Sequence, residues 1–328
     1  MNSQKLFAAI LMPVSAAAVL LAAQLAAADE YPSRPISLVV GYSPGGGSDM
    51  AARLLAGKLS DVLGQPIVID YKPGASGAIA AVHVAKRSAP DGYTMLMCSQ
   101  TPVVILPLVR KDVGYSQDDF VLATSFSSIA VSFNVRADSK WKTLDDFVKD
   151  ARANPGKYSY ASYGQLGLAH LAMELFAQKA GIKLTHVPFA GSTKANAALL
   201  GGHVDVSTTT GTGGMYEAGS LRILAVASED RFPALNKIPT LAELGYPGIA
   251  MVAQYAICMP KHTPEAIVQK LDNALGQVFA KHGQEMAKAF AVAEQAAIYF
   301  PRDKITAKYS ADRTRIKLVL DSMQVKPE

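Results

Sequence analysis

Three consecutive glycines occupy positions 45–47, between a short β-branched run and a segment with apolar residues at helical spacing. Glycine lets the backbone approach a ligand closely, and the free amides at a helix N-terminus favour a negatively charged group. The loop at 42–49 therefore predicts a site for a phosphate or a carboxylate. It has neither the lysine of a P-loop nor the G-x-G-x-x-G spacing of a dinucleotide site. The alternative is a tight turn in which Asp49 caps the helix.

A second glycine-containing loop, at 161–167, precedes a helical segment that carries His170. Two such loops, each at a strand-to-helix junction of a separate α/β unit, predict a cleft with helix N-termini pointing in from both sides. Such a cleft would hold a small anion, most simply a carboxylate, without a salt bridge. A lone histidine such as His170 more often has a structural role than a ligand-binding one.

Catalytic motifs give little support to an enzyme, since neither G-x-S-x-G nor H-E-x-x-H occurs in the sequence. Asp49 and Asp205 could form a carboxylate pair, but aspartates beside glycine loops are more commonly caps or turn residues. We therefore expect a binding protein. The alternatives are a secreted hydrolase or isomerase that uses Asp49 and His170, and a sensor that signals ligand occupancy to a partner.

Strand and helix patterns alternate along the chain, which predicts mainly parallel sheets covered by helices. The first unit has predicted strands at 35–40, 67–69 and 93–98 and helices at 49–63 and 77–87. The second has an extended run at 129–135, helices at 144–153, 168–180 and 194–200, strands at 158–160, 185–187, 204–206 and 223–226, and a loop at 208–214. Long helices are predicted at 264–282 and 284–291.

Two extended crossings, at 129–135 and 252–259, predict hinges between the units. If they are hinges, the C-terminal third returns to the first unit. We expect lobe 1 to comprise 29–130 and 255–328, and lobe 2 to comprise 131–254.

The N-terminus of this 328-residue chain resembles an export signal. One cation, Lys5, precedes a long apolar run that ends in Ala26, Ala27 and Ala28, which is typical of a cleavable signal peptide at 1–28. A membrane anchor is the alternative. Cleavage near Ala28/Asp29 would place the protein in the periplasm and lower the net charge from +5 to +4. The Lys/Arg residues form no stripe with interleaved aromatics, so nucleic acid is not expected as a partner.

The sequence has two cysteines, Cys98 and Cys258, each in a short apolar run that reads as a buried strand. We favour two unreactive buried thiols, because the sequence does not place the two strands side by side. A disulfide is the alternative. Neither cysteine has a histidine at metal-ligand spacing, and no metal or other cofactor is expected.

An ordered series of short motifs resembles the Bug family, the periplasmic receptors of tripartite tricarboxylate transporters. The series includes YPSRPI at 31–36, PGG at 44–46, KPGA at 72–75, PDGYT at 90–94, ANPGK at 153–157, HLAMELF at 170–176, LGGHVD at 200–205 and PTLAE at 239–243. The resemblance implies an α/β periplasmic-binding-protein fold of two lobes, each a mainly parallel sheet flanked by helices, which close about a hinge without catalysis. It also implies a small carboxylate ligand, a membrane permease as partner and a monomer.

Carried over by position, the resemblance implies ligand contacts from both lobes. They are Tyr42, Ser43, Gly46, Gly47, Asp49, Ser76 and Ser99 from the first, and Ser162, Gly164, Leu166, His170, Phe189, Ala190 and Ser192 from the second, with Asp205 beyond. This chain departs from the family pattern at Leu166 and Gly167 and at Phe189 and Ala190, where relatives commonly have polar side chains. We therefore expect a carboxylate with a larger body that is aromatic or otherwise partly apolar, which Leu166, Phe189 and Tyr42 would contact. The alternative is that these residues only face the lobe interior.

Overall fold

The structure is a computed structural model that describes residues 31–212 and 214–325. The predicted signal peptide at 1–28 and its cleavage site lie outside the described residues. Within the described ranges, no helix is long and apolar enough to cross a membrane.

The first lobe is built on a parallel sheet with the order β2–β1–β3. Its strands are β1 (Ile36–Val40), β2 (Ile67–Tyr71) and β3 (Thr94–Cys98). Helix α1 (Gly47–Leu63) links β1 to β2, and α2 (Ala78–Arg87), preceded by a 3₁₀ turn at Ala75–Gly77, links β2 to β3. Strand β1 is apolar on both faces and almost wholly buried, as expected for a central parallel strand.

Two long strands are the structural link between the lobes. Strand β4 (Phe120–Arg136) pairs antiparallel with β9 (Val252–Pro260), which in turn pairs with β3. The pairing of β4 with β9 ends at Ala130, and from Val131 onward β4 pairs with strands of the second lobe. The sequence predicted only 129–135 of this strand, because its serines and alanines carry little β-propensity of their own.

The second lobe is built on the sheet β7–β5–β6, again parallel. Its strands are β5 (Ser159–Ser162), β6 (Thr185–Pro188) and β7 (Val206–Thr210), and β8 (Leu221–Ala227) pairs with β4. After the short α3 (Leu106–Val109) of the first lobe, its helices are α4 (Leu144–Ala153), α5 (Leu168–Ala180) and α6 (Ser192–Leu200). Strand β7 continues through Thr210, so the loop predicted from 208 begins later, because pairing with β4 extends the strand.

The C-terminal third differs most from the prediction. A single helix, α7 (Glu265–Val292), replaces the two predicted helices, and Gly283 lies inside it without interrupting it. Strand β10 (Ala296–Phe300) then pairs with β4, and α8 (Arg302–Ser322) follows. Neither was predicted. The many charged residues of α8 hide the helical spacing of its buried residues in the sequence. The buried residues are Ile305, Tyr309, Asp312, Ile316 and Leu320.

Cys98 and Cys258 form a disulfide between β3 and β9, with 5.9 Å between their Cα atoms. The expectation of two free thiols is therefore wrong. The antiparallel register sets Cys98 opposite Ala256 and Leu96 opposite Cys258, which brings together residues separated by 160 positions. No local sequence signal indicates that pairing.

Candidate functional site

Two neighbouring cavities lie between the lobes, and most of the predicted contacts line one of them. The inner cavity is lined by Tyr42, Ser43, Gly46, Gly47, Ser48, Ser99, Tyr163, Ser192, Thr210, Ala253 and Tyr255. The outer cavity, of about 430 Å³, is lined by Ala75, Ser76, Arg110, Gly164, Gln165, Leu166, Pro188, Phe189 and Ala190. The cavities adjoin, since the Ser43 backbone N–H and hydroxyl both donate to the Ala190 carbonyl, at 3.3 and 3.2 Å.

Two helices begin at the inner cavity, one from each lobe. Gly46 is the extended N-cap of α1, and Ser192 is the first residue of α6. The first-turn amides of a helix lack intrahelical partners and carry partial positive charge. A Cβ at Gly47 would lie 2.9 Å from the Thr210 carbonyl oxygen, so only glycine fits where the two lobes meet. The predicted convergence of helix N-termini is thus present in the structure.

The rest of the inner cavity is lined by hydroxyl groups rather than charges. Burial raises the pKa of Tyr42, Tyr163 and Tyr255, so their hydroxyls remain protonated and neutral. The Tyr42 hydroxyl donates to the Ser76 carbonyl at 3.1 Å, and Ser48 Oγ donates to Tyr255 Oη at 3.2 Å. The cavity therefore offers neutral donors to a ligand and no countercharge among the residues that line it.

Asp49 does not line either cavity. Its carboxylate accepts from the Gly45 N–H at 2.7 Å and from Arg53 Nε at 2.8 Å, and it also accepts from the Tyr71 hydroxyl. The Asp49 carboxylate thus binds the backbone of its own glycine loop, which agrees with the capping alternative rather than with a ligand contact.

Glu294 and Gln295, two consecutive buried residues after α7, hydrogen-bond to the segments that form the inner cavity. Gln295 Nε2 donates to the Gly47 carbonyl at 2.8 Å, and the Ser127 hydroxyl donates to Gln295 Oε1 at 2.9 Å. Glu294 accepts from the Thr212 N–H at 2.9 Å and from the Thr212 hydroxyl, and burial raises its pKa. The pair therefore ties the glycine loop of α1 to the segment that follows β7.

The outer cavity is lined by both polar and apolar groups and is bounded by strained backbone. Ala75, Ser76 and Leu166 all have positive φ, at 47°, 55° and 57°. The Ser76 hydroxyl donates to the Gln165 carbonyl across the cleft at 2.7 Å. Left-handed backbone at non-glycine residues is uncommon and is held only where the surroundings determine it. Leu166 and Phe189 line this cavity, whereas Tyr42 lines the inner one.

A histidine pair supports the loop at 162–167 without lining the cavities. The rings of His170 and His186 stack with centroids 4.0 Å apart. His170 Nδ1 accepts from the Leu166 N–H at 3.0 Å, and His186 Nε2 lies 2.7 Å from Ser162 Oγ. Burial lowers the pKa of both rings, that of His186 to about 3. Ser162 and His170 thus position the loop from behind, and the structure does not bring His170 to Asp49.

Asp205 lies at the opposite end of the sheet. Its carboxylate accepts from the Ser159 N–H at 2.8 Å, at the start of β5, and it borders a separate surface cavity beside Trp141. Asp205 lies away from the cleft because it precedes a parallel strand, whereas the cleft lies at the carboxyl ends of such strands.

Several lining residues were missed by the sequence interpretation. In the inner cavity they are Ser48, Tyr163, Thr210, Ala253 and Tyr255, and in the outer cavity Ala75, Arg110, Gln165 and Pro188. The predicted strand at 252–259 could have indicated Ala253 and Tyr255, because side chains two residues apart on a strand lie on the same face. Arg110 has no such signal, since it follows the short helix α3, which the sequence did not predict.

A third cavity, of about 480 Å³, lies on the other face of β9. Val252 and Gln254 line it, whereas the intervening Ala253 and the following Tyr255 line the inner cavity. Among the residues that the structure describes, no group of His, Cys, Asp and Glu side chains could hold a metal ion.

Two α/β lobes joined by crossing strands, with helix N-termini converging between them, define a solute-binding protein of the periplasmic-binding-protein class. Over residues 51–315 the sequence matches the Tripartite tricarboxylate transporter family receptor, and the chain belongs to this family. The resemblance to Bug proteins and the predicted fold class are thereby confirmed.

Relatives agree with this assignment over most of their length. The chain is 39% identical over 250 residues to the UPF0065 protein in the gbd 5'region of Cupriavidus necator, covering 76% of each. It is 33% identical over 295 residues to Protein BugT of Bordetella pertussis, covering 89% of each. A solved R. palustris protein with adipate superposes with a TM-score of 0.84 at 29% identity, covering 91% of this chain and 100% of that one.

Proposed function

We propose that this chain is a periplasmic receptor that binds a small organic carboxylate between its lobes and delivers it to the membrane permease of a tripartite tricarboxylate-type transporter. The observation that carries the proposal is the start of α1 and of α6 at one cavity lined by neutral hydroxyls. Helix N-termini and hydroxyl donors can bind an anion without a countercharge. A relative solved with adipate is consistent with a carboxylate.

The ligand body occupies the outer cavity in this proposal. Leu166, Phe189 and Ala190 line that space, which at about 430 Å³ is large enough for a compact organic acid. The carboxylate binds at the helix N-termini where the inner cavity, itself only about 10 Å³, adjoins the outer one, and a partly apolar body, aliphatic or aromatic, contacts Leu166 and Phe189.

Lobe closure about β4 and β9 completes the site. We keep the predicted division, with 29–130 and 255–328 in lobe 1 and 131–254 in lobe 2, since β4 changes its partners after Ala130. The closed form of a monomeric receptor is the form presented to the permease, by a population shift that the ligand drives.

Binding without chemical turnover separates this proposal from the hydrolase or isomerase alternative. Asp49 and His170, the residues that an enzyme was expected to use, are engaged in loop contacts outside the cavities. A receptor returns its ligand unchanged, and loss of uptake in a strain lacking this chain distinguishes transport from sensing.

Isothermal titration of the purified protein with benzoate-type and aliphatic carboxylates tests the proposal. We expect micromolar or tighter binding of a partly apolar carboxylate, and loss of binding in Gly47→Ala, because the added methyl group meets the Thr210 carbonyl. Gly57→Ala in the same helix is the matched control, since a Cβ there meets nothing within 4 Å. Binding of citrate or aspartate alone would contradict the apolar body, and binding of no carboxylate would contradict the receptor function.

A further inference from the structure

The conformation of one loop residue sets part of the apolar wall of the outer cavity. Leu166 lines this cavity and has a φ of +57°. Left-handed backbone is unfavourable for leucine, and it persists only where neighbouring groups determine it. A contact from outside the loop must therefore hold Leu166 in place.

The group that contacts the Leu166 backbone is the side chain of His170. Gly167 is the N-cap of α5, so Leu166 precedes the cap and His170 is the third residue of the helix. A side chain at that position can reach back to the chain that enters the helix, as in a capping box. Here the Leu166 N–H donates to His170 Nδ1 at 3.0 Å. The left-handed conformation of Leu166 thus depends on a ring nitrogen that accepts a hydrogen bond.

His170 can accept this bond only while Nδ1 is unprotonated, so the neutral ring carries its proton on Nε2. Glu174 Oε1 lies 3.9 Å from Nε2 and accepts from the Tyr160 hydroxyl at 2.5 Å, and its negative charge favours this tautomer. Within the described residues, the charged or titratable groups that face the ring are Glu174 on its own helix, His186 on β6 and Tyr160 on β5. A second proton, on Nδ1, would set one donor against the Leu166 N–H and break the bond.

The other large apolar residue of the outer cavity depends on the same histidine pair. The Phe189 N–H donates to the Ser162 carbonyl at 2.9 Å, and Ser162 Oγ lies 2.7 Å from His186 Nε2. Burial lowers the pKa of both His170 and His186, so both rings are neutral near pH 7. The neutral pair therefore supports both apolar residues of the cavity, although neither ring lines it.

We infer that His170 is a positioning residue for ligand selection, because its unprotonated Nδ1 holds Leu166 in the conformation that presents an apolar surface to the ligand body. This inference rests on the proposed function and adds a proton-dependent control of the same site. Affinity for a partly apolar carboxylate is full while His170 is neutral, and it falls as acid protonates the ring. Binding in turn opposes protonation, because the coupling of two binding events is reciprocal.

Two substitutions at His170 test the inference. His170→Leu removes the acceptor and keeps a good helix former, whereas His170→Asn keeps an acceptor that takes up no proton, since Oδ1 and Nδ1 are both attached to Cγ. One readout is the protection of the Leu166 amide in hydrogen exchange by NMR, which needs no ligand. The other is the affinity for benzoate, hexanoate and adipate by calorimetry. In His170→Leu, the protection factor and the affinity for the tightest of these acids should fall roughly threefold to tenfold, as for one hydrogen bond. His170→Asn should restore both.

A pH series separates this role from general support of the fold. The protection factor of Leu166 should fall in the wild type as the pH is lowered from about 7 toward about 4, and it should stay constant in His170→Asn. The acids themselves gain protons in this range, so a loss of affinity counts only where the wild type loses more than His170→Asn. His203→Leu is the matched control, because it removes an exposed histidine that lines none of the cavities described above. It should behave as the wild type in every readout.

The possible outcomes distinguish this inference from the receptor function. Unchanged protection of Leu166 in His170→Leu, or equal losses in His170→Leu and His170→Asn, would overturn the positioning role and leave the receptor function intact. A loss of protection without a loss of affinity would overturn the role in ligand selection alone. Binding of none of the three acids or of any other carboxylate would overturn both the inference and the receptor function.

Discussion

Gly164 faces Ser76 across the cleft with no room for a side chain. A Cβ at Gly164 would lie 2.3 Å from Ser76 Oγ, and its φ of +154° is also unfavourable for other residues. We expect Gly164→Ala to lower ligand affinity at least tenfold, because the added methyl group keeps the lobes apart where they must meet. Titration calorimetry with the tightest ligand measures the effect.

Two further variants separate the clash from backbone strain. Ser76→Gly removes the two atoms that the new methyl group meets most closely, and glycine suits the positive φ of that position, so adding it to Gly164→Ala should restore much of the affinity. Gly156→Ala introduces strain at a φ of +77° with nothing within 4 Å, and it should leave affinity unchanged. A wild-type affinity in Gly164→Ala would show that the lobes need not approach here.

The histidine pair gives stability a defined pH dependence. Burial, and then the neighbouring His170, lowers the pKa of His186 to about 3, whereas an unfolded histidine titrates near 6.5. At His186, the unfolded chain therefore binds more protons than the folded one between about pH 3 and pH 6.5. The stability from this site is present above pH 6.5 and is lost as the pH falls toward 3. Urea unfolding at several pH values should show a shallower acid-side slope in His186→Gln than in the wild type.

Thr185→Ser is a suitable control, since it lies on the same strand and changes no ionisable group. It should keep the wild-type slope even if it lowers the free energy of unfolding. Equal slopes in His186→Gln and the wild type would mean that the pair does not titrate in this range.

Local patterns predicted only the two glycine loops of the site, at 42–49 and 161–167. The individual contacts, including Leu166 and Phe189 of the outer cavity, were predicted from the resemblance to Bug proteins. Arg110 could not be predicted, because it follows the short helix α3, which has no pattern of its own in the sequence. Asp205 was carried over from the resemblance, and the structure places it at the opposite end of the sheet because it precedes its strand.

At the scale of elements, the disulfide joins two strands that no short-range signal relates. Cys98 and Cys258 are both fully buried, and the cross-link restricts a loop of 160 residues in the unfolded chain. Replacing both with alanine should lower the free energy of unfolding by roughly 2–5 kcal/mol. The shift of the urea midpoint measures the loss.

Single replacements provide the internal check on this prediction. Either Cys98→Ala or Cys258→Ala removes the bond, so each should cost about as much as the double variant rather than half as much. Additive losses would mean that the two side chains contribute by packing and not by their bond.

Helices whose ends carry capping residues in the sequence could be predicted. Elements that form only through contacts with distant parts of the chain could not. The bounds of α4 agree with the prediction because Thr143 and Asp146 form a capping box. Those of α5 agree because Gly181 ends the helix in the left-handed conformation. By contrast, β10 is a strand only because it pairs with β4, and α8 shows its apolar stripe only once it is packed.

At the scale of the whole molecule, side-chain hydrogen bonds across the cleft bias the lobes toward closure. Ser76 Oγ donates to the Gln165 carbonyl at 2.7 Å, and Thr193 Oγ1 donates to the Pro44 carbonyl at 3.1 Å. In the double variant Ser76→Ala with Thr193→Ala, the unliganded protein should have a larger radius of gyration by X-ray scattering. Ligand affinity should fall by up to about a hundredfold, since each of the two bonds contributes roughly 0.5–1.5 kcal/mol.

Ser310→Ala with Thr314→Ala matches the number of hydroxyls removed but affects bonds within α8 only. This control should change neither the scattering profile nor the affinity. An unchanged radius of gyration and affinity in the cross-cleft variant would show that these bonds do not bias the lobes.

Strand β9 serves two cavities at once, since Ala253 and Tyr255 face one and Val252 and Gln254 face the other. A slip of β9 by one residue would exchange its two sets of side chains and place Gln254 where Tyr255 now lies. The covalent link between Cys98 and Cys258 holds β9 in register with β3. The disulfide thus fixes which side chains of β9 face each cavity, in addition to any stability it adds.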